Sequence, residues 1–118
     1  MPDETGWRTM LFDFYGELLT EKQREYFDLH YNEDLSLAEI AQSEGVSRQS
    51  VWDIIRRAEE TMRRFEEKTG LVARFAAERD ILAAAREKLA RLETMTEGDA
   101  QTLTREIAAT LQELGHGI

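Results

Sequence analysis

The sequence predicts an all-α protein built around a helix-turn-helix, with a helical hairpin behind it. Three observations carry that expectation. Pro2 is the only proline in 118 residues. Ala, Glu, Arg and Leu, which lose little side-chain freedom in a helix, are abundant. Apolar residues recur at spacings of three and four along most of the chain.

Trp7, Leu11, Phe14 and Leu18 form the first such stripe and predict a helix that stops near Thr20. There, Thr20-Glu21-Lys22-Gln23 has the form of a capping box, in which the threonine hydroxyl accepts from the Gln23 amide while the Gln23 side chain reaches back. The second helix runs to about Tyr31, with Tyr26, Phe27 and His30 facing inward. Asn32, Glu33 and Asp34 end it, because short polar side chains bond locally to backbone and compete with helix.

The helix-turn-helix is expected at about Leu37 to Met62. Ser36 and Glu39 make a second capping box, opening a short helix with Leu37, Ile40 and Ala41 as its apolar positions. Gly45 supplies the left-handed backbone that ends it, Val46 tucks back as a hydrophobic plug, and Ser47 caps the next helix. Small Ala41 lets the two helices approach, and Val51 and Ile54 complete the core between them. A short helix, a glycine-bearing turn and a second helix with a free outer face specify this motif jointly. The second helix continues through Val51, Ile54, Ala58, Met62 and Phe65 to Gly70.

Beyond Gly70, Leu71, Phe75, Glu78, Leu82, Ala85, Leu89 and Leu92 follow alternate spacings of four and three, a coiled-coil-like seam. Residues 94–98 read as a turn, and Asp99 as the cap of a last helix bearing Leu103, Ile107, Leu111 and Leu114 and ending at Gly115. Two facing leucine stripes make an antiparallel hairpin. The expected division is a helix-turn-helix domain at 1–70 and a C-terminal arm at 71–118. The arm either closes the monomer's core or, from Leu71 to Leu114, joins a second copy in a homodimer.

Composition narrows the classes of function. Without cysteine there is no disulfide, thiolate metal site or cysteine nucleophile. No apolar run of membrane-spanning length and no signal-like N-terminus occur, so a cytoplasmic protein that does not insert into membranes is expected. The net charge of −9 opposes the basic footprint of a nucleic-acid binder. That charge is uneven. Residues 1–35 carry 3 basic and 9 acidic side chains, residues 65–118 carry 7 and 10, and residues 36–64, which hold the motif, carry 5 of each.

Leu11-Phe12-Asp13-Phe14-Tyr15, Leu18-Leu19-Thr20-Glu21-Lys22-Gln23-Arg24, Asp34-Leu35-Ser36-Leu37-Ala38-Glu39-Ile40-Ala41, Val46-Ser47-Arg48-Gln49-Ser50-Val51 and Glu66-Glu67-Lys68-Thr69-Gly70-Leu71 stand in an order that resembles the YlxM family of bacterial helix-turn-helix proteins. The similarity is close over about residues 7–75 and extends to the C-terminal hairpin only in character. The resemblance implies a fold akin to region 4 of sigma factors and a regulatory role in the signal recognition particle pathway. Against region 4, Ser47 and Arg48 match the start of the recognition helix, whereas Trp52 and Asp53 stand where arginine and glutamine are usual.

The candidate binding residues are Ser47, Arg48, Gln49, Trp52, Asp53, Arg56 and Arg57. Arg48 has the chemistry to contact guanine, Gln49 adenine, Asp53 the cytosine amine, and Arg56 or Arg57 a phosphate. Local pairs, Arg56 with Glu60 and Glu59 with Arg63, compete for the same arginines. Exposed Trp and Arg on one stripe also compose a protein-binding hot spot, so the partner is DNA or, in the second reading, the protein or RNA of the signal recognition particle. No catalytic residue, cofactor or metal site is expected. Glu33 with Asp34 and Glu59 with Glu60 are neighbours only in sequence and read as solvated, His30 as a core-edge residue, and His116 as part of a frayed tail.

Overall fold

In the computed structural model, residues 4–116 are described, with side chains placed as far as Leu114. The His116 side chain and the adjoining tail lie outside that range. Six helices follow one another: α1 (Glu4–Tyr15), α2 (Glu21–Tyr31), α3 (Leu37–Glu44), α4 (Arg48–Thr69), α5 (Leu71–Met95) and α6 (Gly98–His116). A single 3-10 turn, Gly16–Leu18, joins α1 to α2. No described helix is long and apolar enough to cross a membrane. The chain divides into two compact units, residues 1–73 and 74–118.

In the first unit α1, α2 and α3 all pack on α4. The buried residues include Leu11 and Tyr15 of α1, Tyr26 and Phe27 of α2, Ile40 and Ala41 of α3, and Val51, Ile55, Ala58 and Met62 of α4. On α4 the spacing is four, three, four, so Ile55 rather than Ile54 holds the centre of the face, and Ile54 and Phe65 pack at its edges. The end of α1 also departs from expectation. The helix stops at Tyr15, where buried Gly16 lies against the Phe12 ring, and the tighter 3-10 turn rotates the chain so that Leu19 is buried while Leu18 is 61% exposed. Phe14 likewise points outward, and Phe12 takes the inner role by stacking on Phe27 at 5.2 Å.

Both predicted capping boxes form. Gln23 N donates to Thr20 Oγ1 at 3.2 Å and Thr20 N to Gln23 Oε1 at 3.1 Å; Glu39 N donates to Ser36 Oγ and Ser36 N to Glu39 Oε1, each at 3.0 Å. Between them, Asp34 adopts φ 58°, a left-handed conformation that Asp tolerates better than most residues. His30 Nδ1 lies 2.8 Å from the Leu35 carbonyl oxygen and helps to hold that corner.

Sequence periodicity did not anticipate the junction after α4. Gly70 turns the chain with φ 63°, and the Glu66 carboxylate, almost wholly buried, then accepts hydrogen bonds from the first amides of α5: Val72 N at 2.9 Å and Ala73 N at 3.0 Å. The Tyr15 hydroxyl donates to the same carboxylate at 2.6 Å. Since that hydroxyl has one proton, Thr69, 2.5 Å from it, donates to the Tyr15 oxygen, and Thr69 Oγ1 in turn accepts from Leu71 N at 3.3 Å. One carboxylate thus ties α1, the end of α4 and the start of α5 together, satisfying amides that a helix start leaves open.

In the second unit α5 and α6 run antiparallel. Arg105 Nε meets Glu93 Oε1 at 2.6 Å, Gln101 Nε2 donates to the Glu93 carbonyl at 3.2 Å, and an Arg86 guanidinium NH donates to the Leu111 carbonyl at 3.3 Å. The seam differs from two facing leucine stripes. Leu82, Ala85 and Leu89 of α5 are half-buried, and on α6 the less exposed positions are Gln101, Thr104, Ala108 and Leu111, while Leu92, Leu103, Ile107 and Leu114 are exposed. Thr104 tolerates its burial because its hydroxyl donates to the Ala100 carbonyl at 2.9 Å. The last helix begins at Gly98, with φ 62°, so Asp99 lies inside its first turn rather than capping it, and the helix continues past Gly115 to His116.

Burial raises the proton affinity of Glu66, but the Tyr15 hydroxyl and the Val72 and Ala73 amides overcompensate and hold its pKa below the ordinary value of 4.5. Its folded value being depressed, its contribution to stability is complete above about 4.5 and is lost as pH falls through the lower folded value. Glu66→Gln, which cannot serve both amides and the tyrosine as a carboxylate does, is expected to cost about 1–3 kcal/mol at neutral pH. Urea unfolding of the two proteins should show that difference shrinking below pH 4.5; a difference unchanged down to pH 2 would contradict the account.

Candidate nucleic-acid interface

The motif's geometry is set by three backbone devices. The capping box starts α3. Gly45, at φ 69° and ψ 33°, stops it, with the Gly45 and Val46 amides both donating to the Ala41 carbonyl. The Ser47 hydroxyl accepts from Ser50 N at 3.0 Å and starts α4. The turn is therefore closed by hydrogen bonds; Val46, expected to plug it, stays 39% exposed.

All seven predicted binding residues lie in or just before the first three turns of α4. Ser47 is engaged as the cap, and its hydroxyl also donates to Ser50 Oγ at 3.0 Å. Gln49 Nε2 donates to Asp53 Oδ1 at 3.1 Å. Arg56 lies between two acids, Asp53 at 3.9 Å and Glu60 at 3.0 Å, so its charge is locally offset. Arg48 and Arg57 are exposed and make no ion pair among the described residues. Trp52 is 38% exposed and lines an open groove of 470 Å³ with Leu37 of α3, Arg48 and Gln49. Leu37, expected as an apolar position of α3, is partly buried against the core and also lines this groove.

The local electrostatics are mixed. The Glu39 carboxylate is held below its usual pKa by its hydrogen bond from the Ser36 backbone, and so stays ionised at the N-terminus of α3. A phosphate approaching that helix start meets a negative charge already in place. The other end of the face carries Asp53.

The predicted pairs Arg56–Glu60 and Glu59–Arg63 both form, at 3.0 and 3.2 Å. Glu59, however, is not a solvated carboxylate. It also pairs with Arg8 of α1, whose guanidinium sits 5.0 Å from the Tyr31 ring centre, while Arg8 and Arg63 both approach Glu4, at 3.1 and 3.8 Å. That network packs α1 against α4 and leaves Glu59 and Glu60 committed to different partners.

Residues 3–102 match the family UPF0122, described as "Putative helix-turn-helix protein, YlxM / p13 like". The match therefore runs past residue 75 and into α6. The chain is similar to a UPF0122 protein of Halalkalibacterium halodurans, 42% identical over 114 residues covering 97% of this chain and 96% of that one. A UPF0122 protein of Desulforamulus reducens is 52% identical over 69 residues, covering 58% of this chain and 59% of its own. One from Shouchella clausii is 48% identical over 90 residues, covering 76% and 83%.

Because Trp52 is more than a third exposed, its side chain adds little to the core. Trp52→Ala is expected to cost no more than about 1.5 kcal/mol in denaturant unfolding, whereas Ile55→Ala, three residues further on and fully buried on α4's inner face, should cost about 2–5 kcal/mol. Equal losses would place Trp52 in the core and remove it from the candidate face.

Proposed function

The chain belongs to the UPF0122 family of helix-turn-helix proteins, and on that premise we propose that it is a regulatory protein that binds nucleic acid through the first turns of α4. The observation that carries the reading is the pair of unpaired arginines, Arg48 and Arg57, on an exposed helix start beside Gln49. In this reading Arg48 and Gln49 meet base edges in the major groove and Arg57 a phosphate, with Arg56 contributing when it exchanges Glu60 or Asp53 for the nucleic acid. Asp53 opposes phosphates and restricts which sequences are accepted. The protein acts in the cytoplasm, and the pathway the reading favours is that of the signal recognition particle.

A second reading is supported by the groove itself. Trp52, Leu37 and Arg48 form an apolar wall with a cation beside it, the composition of a protein hot spot, in a chain whose net charge is −9. Here the protein is a non-enzymatic adaptor that holds a protein or ribonucleoprotein partner, the signal recognition particle, through α4.

Titration of labelled duplex DNA and structured RNA across a salt series separates these readings. Nucleic-acid binding predicts affinity falling with salt at a shallow slope, because few cations are free, and Arg57→Ala should lower that slope by roughly one. Asp53→Asn should tighten binding by about 0.3–1 kcal/mol through loss of a repulsive charge. No binding to either nucleic acid at low salt, with nuclease-resistant capture of a protein partner from the native cytoplasm, would overturn the first reading in favour of the second.

A further inference from the structure

We infer that a second copy of this chain covers the exposed apolar face of the α5–α6 hairpin, producing a four-helix bundle. The second unit has little interior of its own: among its described residues only Thr104 is fully buried, and the half-buried seam on α6 is largely small or polar. A helix pair with so thin a seam is marginal in water, since helices of this kind depend on packing for most of their stability.

The large apolar side chains stand elsewhere. On α5, Ile81, Leu92 and Met95 share a stripe turned about 90° from the seam, and on α6, Leu103, Ile107 and Leu114 share one turned by a similar amount in the same sense. Because the helices are antiparallel, similar turns bring both stripes to one side of the hairpin. Ile81 is 70% exposed and Leu103 56%. Contiguous apolar surface of this kind marks an association face.

Charge identifies the occupant. The α5 stripe is accompanied by exposed Lys88 and Arg91, with Asp80 and Glu87 further round toward the outer side, and Arg74 is offset by Glu78 at 3.8 Å. The α6 stripe is bordered by exposed Asp99, Glu106 and Glu113; the helix's one arginine, Arg105, is turned to Glu93. One face thus carries a basic-edged stripe beside an acidic-edged stripe, which is complementary to itself under a two-fold rotation. With the axis parallel to the helices, α5 of each copy lies antiparallel to α6 of the other, basic edge against acidic edge, as in an up-down four-helix bundle. A uniformly acidic or basic partner would match only one of the two stripes.

Sedimentation equilibrium of the full chain is expected to give a dimer, twice 13.7 kDa, dissociating on dilution. Leu103→Glu with Ile107→Glu alters exposed positions, so helical circular dichroism should be retained while the mass falls to that of one chain. Lys88→Glu with Arg91→Glu, and separately Glu106→Lys with Glu113→Lys, should each weaken self-association about tenfold or more by setting like charges opposite. Mixing these two charge variants should restore the dimer, because each reversed edge then meets a complementary one. A wild-type chain that sediments as a monomer overturns the inference, as would charge variants that dimerise like wild type or fail to recover on mixing.

Discussion

Every helix of the N-terminal unit rests on one strip of α4. Val51, Ile55, Ala58 and Met62 lie fully buried along three turns, and α1, α2 and α3 each pack against that strip. The order of contact along α4 explains the division of labour. α1 lies along its second half, with Arg8 at Glu59 and Tyr15 at Glu66, while at its start Arg48, Gln49, Trp52, Arg56 and Arg57 stay exposed. Removing the strip would leave three short helices, none long enough to be stable alone.

The two ends of α4 are handled by different chemistry, and the difference suits what each end does. At the start, Ser47 accepts one amide and no acidic side chain occupies the first turn, so the positive end of the helix remains available beside Arg48. At the far end the Glu66 carboxylate is buried and accepts from the Tyr15 hydroxyl and from the Val72 and Ala73 amides. Tyr15, in donating to Glu66, carries a pKa raised by burial and by the neighbouring carboxylate, and so keeps its proton throughout the neutral range. Both groups therefore hold one protonation state at neutral pH.

Charge explains why the candidate face is small. The chain carries 24 acidic and 15 basic side chains, and two of the five arginines on α4 are paired with acids: Arg56 with Asp53 and Glu60, Arg63 with Glu59 and Glu4. A nucleic acid would therefore meet two free guanidinium groups in a negative surround, which limits long-range attraction and leaves short-range complementarity to decide what is held. The same reasoning applies to the groove beside Trp52, where an apolar wall adjoins a cation.

The features legible in the sequence were those made by residues close together along the chain. Thr20 with Gln23, Ser36 with Glu39, Gly45 and Ser47 each act within one helical turn, so helix starts and the motif's turn followed from local hydrogen bonding, as did the pairs Arg56–Glu60 and Glu59–Arg63. What tertiary structure decided was rotation. Whether Ile54 or Ile55 faces inward, or Phe12 or Phe14, differs by a fraction of a turn, and a stripe read at spacings of three and four admits either until a partner helix selects one. On α6 the buried side is Thr104 rather than Leu103, and burial is tolerated there because the Thr104 hydroxyl donates to the Ala100 carbonyl one turn back. Glu66 was illegible for a related reason: its burial depends on Tyr15, 51 residues away, and no local pattern distinguishes a latched carboxylate from a solvated one.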